Sequence, residues 1–457
     1  MNLVKKQKIY HLEEVKVHTV KEQLELYKSN NWREDYLLGQ LNKIKILDKS
    51  IDKKEHAKEI IKFFEIKLEK ELGEYLNFEK RYEFIDLFSG AGGLSLGLEQ
   101  AGLFPKIAID HYATATKTYL FNRPYLNNEN VITQDIRDEE LIITNKVPLV
   151  VGGPPCQGFS NANKQQKKDD NRNQLYKYYI EIVRNTDPDI FLMENVEGLL
   201  KYKDIIQNDF FEAGYLTTPF LLNTKDFGLP QNRKRVFFVG IKISHQKIKS
   251  ELLNIFLENI IQNKSVRHNN IFDAIQDLVG LKAKTIRNAT YLESKDWGYS
   301  FGEIKKYNSK YCQRINNGIL TFPLLNHKTK YNNPRDIEIY NRLKVGDKSD
   351  AESIKDINPY SNRDHIFKDK FCKLDFEGIS KTITAHMYYD CHMYIHPTEA
   401  RGLTPREAAR IQGFPDDYLF LGTPNEWYRQ IGNAVSPPLG KIIGKGLNKM
   451  LDRIYEY

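Results

Sequence analysis

Cysteine is scarce in this chain: four in 457 residues, at positions 156, 312, 372 and 391, with no CxxC pair. That spacing argues against a disulfide framework or a zinc ribbon and fits a reducing compartment. Long apolar runs are missing as well, so nothing spans a bilayer. The charged N-terminus has no signal-peptide core. A soluble, cytoplasmic protein with no membrane partner is expected. Neither sign of charge dominates: 68 Lys and Arg against 60 Asp and Glu leave +8. Such a surplus suits a polyanionic partner but equally describes an ordinary solvated surface. No internal repeat or low-complexity tract is present. What the chain does have is bulk: 40% hydrophobic residues are enough to bury a sizeable core in two or three domains.

The rest of the chain is organised around Gly152-Gly153-Pro154-Pro155-Cys156-Gln157-Gly158-Phe159-Ser160. The apolar run Val147–Val151 before it reads as a buried parallel strand, and 161–173 after it is almost wholly polar. Cys156 therefore falls at the carboxyl end of a strand, where open α/β folds place their chemistry. A lone cysteine is usually buried and inert; here two prolines restrict the backbone that aims it.

Residues 1–76 read as a polar helical extension, with apolar residues at helical spacing in Val20–Ser29 and in Glu55–Leu72. An arm packed on the main body is preferred to a DNA-binding appendage. A catalytic domain is placed at 77–245. It opens with an apolar strand running into Phe88-Ser89-Gly90-Ala91-Gly92-Gly93, followed by a helix that stops at Gly102. Glycines permit close backbone approach to a ligand, and the new helix offers free N–H groups. Strand ends follow at Asp110 and at Asp135-Ile136, and an acid there can hold ribose hydroxyls. Glu194 ends another apolar strand, where a carboxylate is costly unless used or paired. Gln231-Asn232-Arg233-Lys234-Arg235 precedes one more.

Residues 246–400 lose this rhythm and read as a separate, smaller and irregular domain. Lys282, Lys284, Arg287, Lys328, Lys330 and Arg335 are its candidate phosphate contacts. His386, Cys391, His392 and His396 lie close together, but alternating spacing points them to different faces, and no metal site is expected. Residues 401–424 begin a helix with Thr404-Pro405-Arg406-Glu407, a capping box with proline at its first position, ending at Gly413. Gly432-Asn433-Ala434-Val435 then leads into a terminal apolar helix, and 425–457 is expected to complete the catalytic domain.

Taken in order, these motifs resemble the bacterial cytosine-5 DNA methyltransferases of restriction–modification systems, over residues 80 to 450. Phe88–Gly93 is similar to that family's cofactor loop and Pro154-Pro155-Cys156-Gln157 to its nucleophile motif. Glu194-Asn195-Val196 resembles its acid motif, Gln231–Arg235 its QxRxR motif and Gly432–Val435 its C-terminal cofactor motif. The resemblance implies a doubly wound α/β sheet of Rossmann-like type, with a target-recognition domain between Arg235 and Arg401. It implies S-adenosylmethionine held by Phe88 to Leu94, Asp110, Asp135, Ile136, Pro155 and Asn433 to Val435. The family's ribose-binding acid falls by position at Ala108, which leaves Asp110 to replace it.

The chemistry implied is attack of the Cys156 thiolate on carbon 6 of a flipped-out cytosine, which makes carbon 5 nucleophilic. A protonated Glu194, its proton held by an apolar setting, donates at ring nitrogen 3. Arg235 holds the base's carbonyl, and Arg233 supports Glu194 or the loop. Gln157 fills the vacated space and Ser160 lies near the flipped nucleotide. Lys164, Lys167, Lys168 and Arg172 meet phosphates of duplex DNA. A restriction endonuclease of matching specificity is the expected partner. A tRNA methyltransferase on the same scaffold would carry a Cys-Phe-Thr signature in the recognition region, and none is found. A regulator that lost catalysis, or an oxidoreductase, leaves Cys156 and Glu194 without use.

Overall fold

The computed structural model describes residues 9–10, 32–46, 52–76, 82–138, 142–143, 146–155, 174–265, 267–306, 309–318, 321–361 and 369–456. Its centre is a seven-stranded sheet built from β1 (Tyr82–Leu87), β2 (Leu103–Asp110), β3 (Val131–Thr133), β4 (Leu149–Gly152), β5 (Ile190–Val196), β6 (Tyr215–Asn223) and β7 (Lys234–Lys242), in the spatial order β3-β2-β1-β4-β5-β7-β6. The first five strands are parallel, and β7 runs antiparallel to both β5 and β6. Both faces of such a sheet are covered, so β1, β4, β5 and β7 read as continuous apolar runs. Chain order reverses at β1/β4, which puts a topological switch point and its crevice above the ends of β1 and β4.

Among the helices on and around this sheet are α1 (Trp32–Lys43), α2 (Lys53–Leu76), α3 (Gly93–Glu99), α4 (Ala113–Phe121), α5 (Lys249–Gln262), α6 (Pro405–Gln412), α7 (Pro424–Asn433) and α8 (Pro437–Glu456). Two more, Gln174–Thr186 and Lys203–Glu212, cover the face that carries Phe191. One core joins Leu94 and Leu98 of α3, the β1-β4-β5-β7 face and Leu439, Ile443 and Leu447 of α8. Small residues let α8 lie against α3: an added Cβ on Gly97 would come within 2.4 Å of the Pro437 carbonyl. The terminal helix thus packs on α3 and on the face of the sheet.

The boundary expected at residue 246 falls too early. Leu252, Phe256 and Ile260 of α5 are buried in the catalytic core against α8, and a Cβ on Gly446 would meet the Phe256 ring at 2.8 Å. The irregular domain proper contains an antiparallel hairpin, Gly298–Lys306 with Thr321–Lys328, and a separate cluster of Ile339, Tyr340, Leu343, Ile354, Phe371 and Ile395.

Between the domains lies α6, every residue of which is buried. The capping box read from sequence is present: the Thr404 side chain accepts from Glu407 N–H, and Glu407 from the Thr404 backbone. Gly413, at φ 88°, ends the helix in the left-handed region. Its buried charges are paired or bonded: Arg401 with Glu407 at 2.7 Å, Arg410 with Asp416 at 2.8 Å, and Arg406 with the carbonyls of Leu325 and Tyr418, each at 2.7 Å.

Helices α1 and α2 pack on this body. Leu37, Leu41, Ile60 and Phe64 share one cluster with Phe121 of the first domain, Phe301 and Leu325 of the second, and Leu419 and Leu421 between them. Arg33 donates to the carbonyls of Leu120 (2.8 Å) and Phe121 (3.2 Å). Val20–Ser29, read as a helix from sequence, lies outside the described residues.

Candidate active site

At the end of β1 the chain turns through Phe88, Gly90 and Gly92, with φ of 59°, 54° and 82°. Gly90 and Gly92 adopt this region without a steric penalty; an aromatic residue there is uncommon, and such backbone is found at ligand-binding turns. Gly92 and Gly93 are hemmed in. A Cβ on Gly92 would strike the Tyr119 ring at 2.6 Å, and one on Gly93 the Val435 carbonyl at 2.4 Å. The turn is braced from behind by Arg123, which is buried, stacks 3.8 Å from the Tyr119 ring centroid and donates to the Gly92 carbonyl at 3.0 Å. The Tyr418 hydroxyl donates to the Ala91 carbonyl.

In front of the turn opens a cleft of about 550 Å³, within the range of small-molecule sites. Of the cofactor residues expected from sequence, Phe88 to Ala91, Gly93, Leu94, Asp110, Asp135, Ile136, Pro155 and Asn433 to Val435 all line it; Gly92 faces the bracing side. Asp110 ends β2, and its carboxylate accepts from Gly90 N–H (2.9 Å) and Tyr112 N–H (2.8 Å). Ala108, where the resemblance had put the ribose-binding acid, is buried among Phe104, Tyr119 and Leu120 and does not face the cleft. Period-two alternation along β2 turns residues 108 and 110 to one side, but only the strand end opens to the cleft. Asp135 is held by Arg137 at 2.6 Å, and that bond lowers its carboxyl to about 2.

Sequence reasoning missed Asp86, which lines the cleft floor. The Ser95 hydroxyl donates to it at 2.5 Å and receives from the Tyr119 hydroxyl at 2.8 Å. Burial raises this carboxyl to about 7. It was hidden because an acid inside an apolar β1 run reads as structural. Two further polar atoms, Ser89 Oγ and Gln430 Oε1, are buried at the cleft without a partner. Orphaned groups of this kind await a ligand or an ordered water. With two strand-end carboxylates and the open side of Gly90, they fit a ribose-bearing, cationic cofactor such as S-adenosylmethionine.

At the other end of the cleft, Glu194 and Arg235 leave adjacent antiparallel strands and pair through Nε at 2.9 Å, both side chains partly buried. The turn that carries the cysteine motif runs directly alongside. A Cβ on Gly153 would lie 3.0 Å from Glu194 Oε2, and Asn195 donates to the Pro154 carbonyl at 2.9 Å. Cys156 is two residues beyond Pro154. Cys156, Gln157, Ser160, Lys164, Lys167, Lys168 and Arg172 lie outside the described residues.

Arg233 also lines the cleft, and of its two expected partners the loop lies outside the described residues. The arginine is fully buried, and its guanidinium donates to the carbonyls of Ile383 (2.8 Å), Ala434 (2.9 Å) and Gly432 (3.3 Å), with no hydrogen bond to Glu194. Arg235 belongs to β7 and meets Glu194 there, whereas Arg233 lies just before β7, where Gln231–Asn232 pairs with Ser380–Lys381 and brings the chain into the seam between the domains. Gln231 works in the same seam, donating to Gln412 Oε1 (2.5 Å) and accepting from Ile383 N–H (2.8 Å).

Three of the lysines considered for phosphate contact are withdrawn from solvent. Lys328 pairs with buried Glu293 at 2.9 Å, Lys284 donates to the Leu292 carbonyl at 2.6 Å, and Lys330 to the Tyr388 carbonyl at 2.6 Å. Lys282 and Arg335 remain exposed, at 74% and 54% of their side chains. Among the described residues no group of three His, Cys, Asp or Glu is arranged to hold a metal, and no helix is long and apolar enough to cross a membrane.

The sheet order and the cleft above β1 and β4 define an S-adenosylmethionine-dependent methyltransferase fold. Residues 82–449 match the C-5 cytosine-specific DNA methylase family, and the chain belongs to it. It is thus a DNA cytosine-5-methyltransferase by family. Among curated relatives, type II methyltransferase M.DdeI of Desulfomicrobium norvegicum is 31% identical, over 81% of this chain and 89% of that enzyme. M1.HphI of Haemophilus parahaemolyticus is 32% identical, over 85% and 91%. A crystal structure from Escherichia coli, of a prophage-encoded protein assigned as a DNA modification methyltransferase, superposes with a TM-score of 0.58 at 26% identity. It covers 81% of this chain and 99% of that one.

Proposed function

We propose that this chain is the modification enzyme of a type II restriction–modification system, methylating carbon 5 of one cytosine within a short duplex sequence. The observation that carries the reading is the Glu194–Arg235 pair at 2.9 Å, packed against Gly153 of the cysteine turn at the mouth of the glycine-turn cleft. An acid and a guanidinium beside the turn that leads to a cysteine supply the groups a pyrimidine ring needs for conjugate addition.

The target carbon is inaccessible in a stacked duplex, so the base is flipped out. The Cys156 thiolate adds to carbon 6, forming a carbon–sulfur bond and pushing electron density onto carbon 5 and nitrogen 3. Nitrogen 3 becomes more basic as this happens, and Glu194 shares a proton with it there. Arg235 stabilises the base's carbonyl oxygen, where charge also accumulates. S-adenosylmethionine, when bound, supplies the electrophilic methyl group. Asp110, Asp135 and the Asn433–Val435 segment hold it, and Ser89 Oγ and Gln430 Oε1 offer it partners. Loss of the carbon 5 proton and expulsion of Cys156 restore the aromatic ring. Gln157 occupies the space left in the duplex, Ser160 touches the flipped nucleotide, and Lys164, Lys167, Lys168 and Arg172 contact phosphates. The enzyme works in the cytoplasm and shields host DNA from an endonuclease of the same specificity.

The test uses purified protein, methyl-labelled S-adenosylmethionine and unmethylated genomic DNA, with Cys156→Ser in parallel. Label at carbon 5 of cytosine in one short context, absent with the serine variant, is the expected result. Label in tRNA but not in DNA, or no transfer by the native protein, overturns the reading.

A further inference from the structure

The segment Thr382–Asp390 crosses from the seam of Arg233 to the rim of the second domain, and its backbone is pinned along the way. Ile383 is held at both its N–H and its carbonyl, by Gln231 and Arg233, each at 2.8 Å. Thr384 and Ala385 lie so close to α7 that a Cβ on Gly432 would come within 2.2 Å of the Ala385 nitrogen. Tyr394 donates its hydroxyl to the Thr382 carbonyl at 2.6 Å. Further on, the Met387 side chain is fully buried in the cluster that contains Trp427 and Ile431 of α7. Lys330 Nζ donates to the carbonyls of Met387 (3.1 Å) and Tyr388 (2.6 Å).

A turn held so firmly would be expected to tuck its aromatic rings away as well. It does the reverse. Tyr389 is 71% exposed, more than any other large apolar side chain among the described residues. The His386 side chain is 47% exposed. The three rings form one group, Tyr389 lying 5.0 Å from Tyr388 and 5.6 Å from His386 between centroids. A single exposed tyrosine needs no explanation. A rigid backbone presenting grouped aromatic and imidazole side chains has the character of a recognition surface: little conformational entropy is lost when it binds.

We propose that the turn Ala385–Asp390 is a base-reading element, with Tyr389 and His386 contacting the duplex beside the target cytosine and restricting its sequence context. This rests on duplex DNA being the substrate. The phenol and imidazole groups hydrogen-bond to base edges, and the Tyr389 ring contacts a base face or a thymine methyl. Position follows from the wiring. Arg233, which holds Ile383, is two residues from Arg235, which holds Glu194. The reading element and the catalytic pair are therefore registered by one short stretch of chain at the start of β7. Specificity in this reaction requires such registration, because a reading group that drifts relative to the chemistry discriminates poorly.

The experiment compares the full-length protein with Tyr389→Ala, His386→Ala and Tyr389→Phe. Each is assayed on unmethylated genomic DNA with every cytosine context read out by sequencing, and for kcat/KM on the preferred duplex. Expected for the two alanine variants is a fall in kcat/KM of about 10-fold or more on the native context, with a relative rise at contexts differing by one base pair. Tyr389→Phe keeps more of the preference, and affinity for S-adenosylhomocysteine and Tm stay native. Unchanged context ranking and kcat/KM in both alanine variants overturns the proposal. So does a matching loss of Tm or cofactor affinity, which would mark a structural role. Failure of the native protein to methylate DNA at all is a separate result and sinks the substrate reading instead.

Discussion

Arg233 donates to the carbonyl of Ala434 at 2.9 Å, across 201 residues of chain. The bond ties the strand that carries Arg235 to the segment that walls the cofactor cleft, while the same guanidinium reaches Ile383 in the second domain. One buried cation thus joins three parts of the molecule that must agree in position for the reaction to proceed.

Replacement of Arg233 by Ala takes the donor from the Ile383 and Gly432 carbonyls, while the Ala434 carbonyl keeps Gln412 at 2.6 Å. Unsatisfied buried groups cost about 1–3 kcal/mol each, so a loss of at least about 2 kcal/mol is expected. It is measured as a lower urea midpoint, together with weaker S-adenosylhomocysteine binding. Native stability in the alanine variant would show that the seam is not held by this residue.

Gly153→Ala should separate chemistry from stability. The new Cβ lies 3.0 Å from Glu194 Oε2, the far end of a flexible side chain, so the carboxylate gives way rather than the backbone. Displacing a catalytic group by a fraction of an ångström lowers kcat by on the order of 10-fold or more. Tm should remain native. An undiminished kcat would place Glu194 outside the chemistry.

Asp86 should make cofactor affinity pH-dependent. Burial lifts its carboxyl to about 7; the Ser95 hydrogen bond and the Arg123 charge oppose that rise, and Asp110 and Glu99 add to it. The group is neutral below this value and anionic above it, so the cleft gains a negative charge as pH rises through 7. S-adenosylmethionine, which carries a sulfonium, should bind more tightly at pH 8 than at pH 6, and Asp86→Asn should flatten the profile. The same ionisation costs stability: the contribution is complete below about pH 4 and is lost as pH climbs to 7. Titration calorimetry across this range checks the first claim; an equally steep profile for the asparagine variant counts against it.

Glu407 works in the opposite direction. Burial alone would raise it, but the Arg401 charge and two hydrogen bonds at 2.7 and 2.8 Å hold it down at about 2. Its contribution is present above about pH 4.5 and fades as pH falls toward 2. Glu407→Gln should cost about 1.5–3 kcal/mol at pH 7, since it removes one of the two carboxylates that hold buried Arg401 and leaves Glu399 at 2.6 Å. The difference from the native protein should shrink on acidification, and melting curves from pH 7 to 3 will show whether it does.

Features set by local chemistry were legible in the sequence. The capping box at Thr404 and Glu407, the stop at Gly413 and the glycine turn after β1 each follow from a few adjacent residues, and the structure has all three. What depends on distant partners was not. Strand β6 escaped notice because Pro219 and two threonines mask its pattern; at a sheet edge a proline is tolerated. Nothing within α5 says that Phe256 will be covered by Gly446, so composition assigned that helix to the wrong domain. Lys284, Lys328 and Lys330 look like surface cations until the carbonyls and Glu293 that enclose them are seen. Which of Arg233 and Arg235 meets Glu194 was not legible, because it depends on where β7 begins and on how the chain before it enters the second domain.

The cofactor cleft has one wall made by β1, β2 and β4 and another made by Asn433 to Val435, which α8 secures against α3. On the ribosome these walls appear some three hundred residues apart, with the second domain emerging between them. A chain that stops before Asn433 therefore has half a cleft, and the site closes only once both domains have been synthesised.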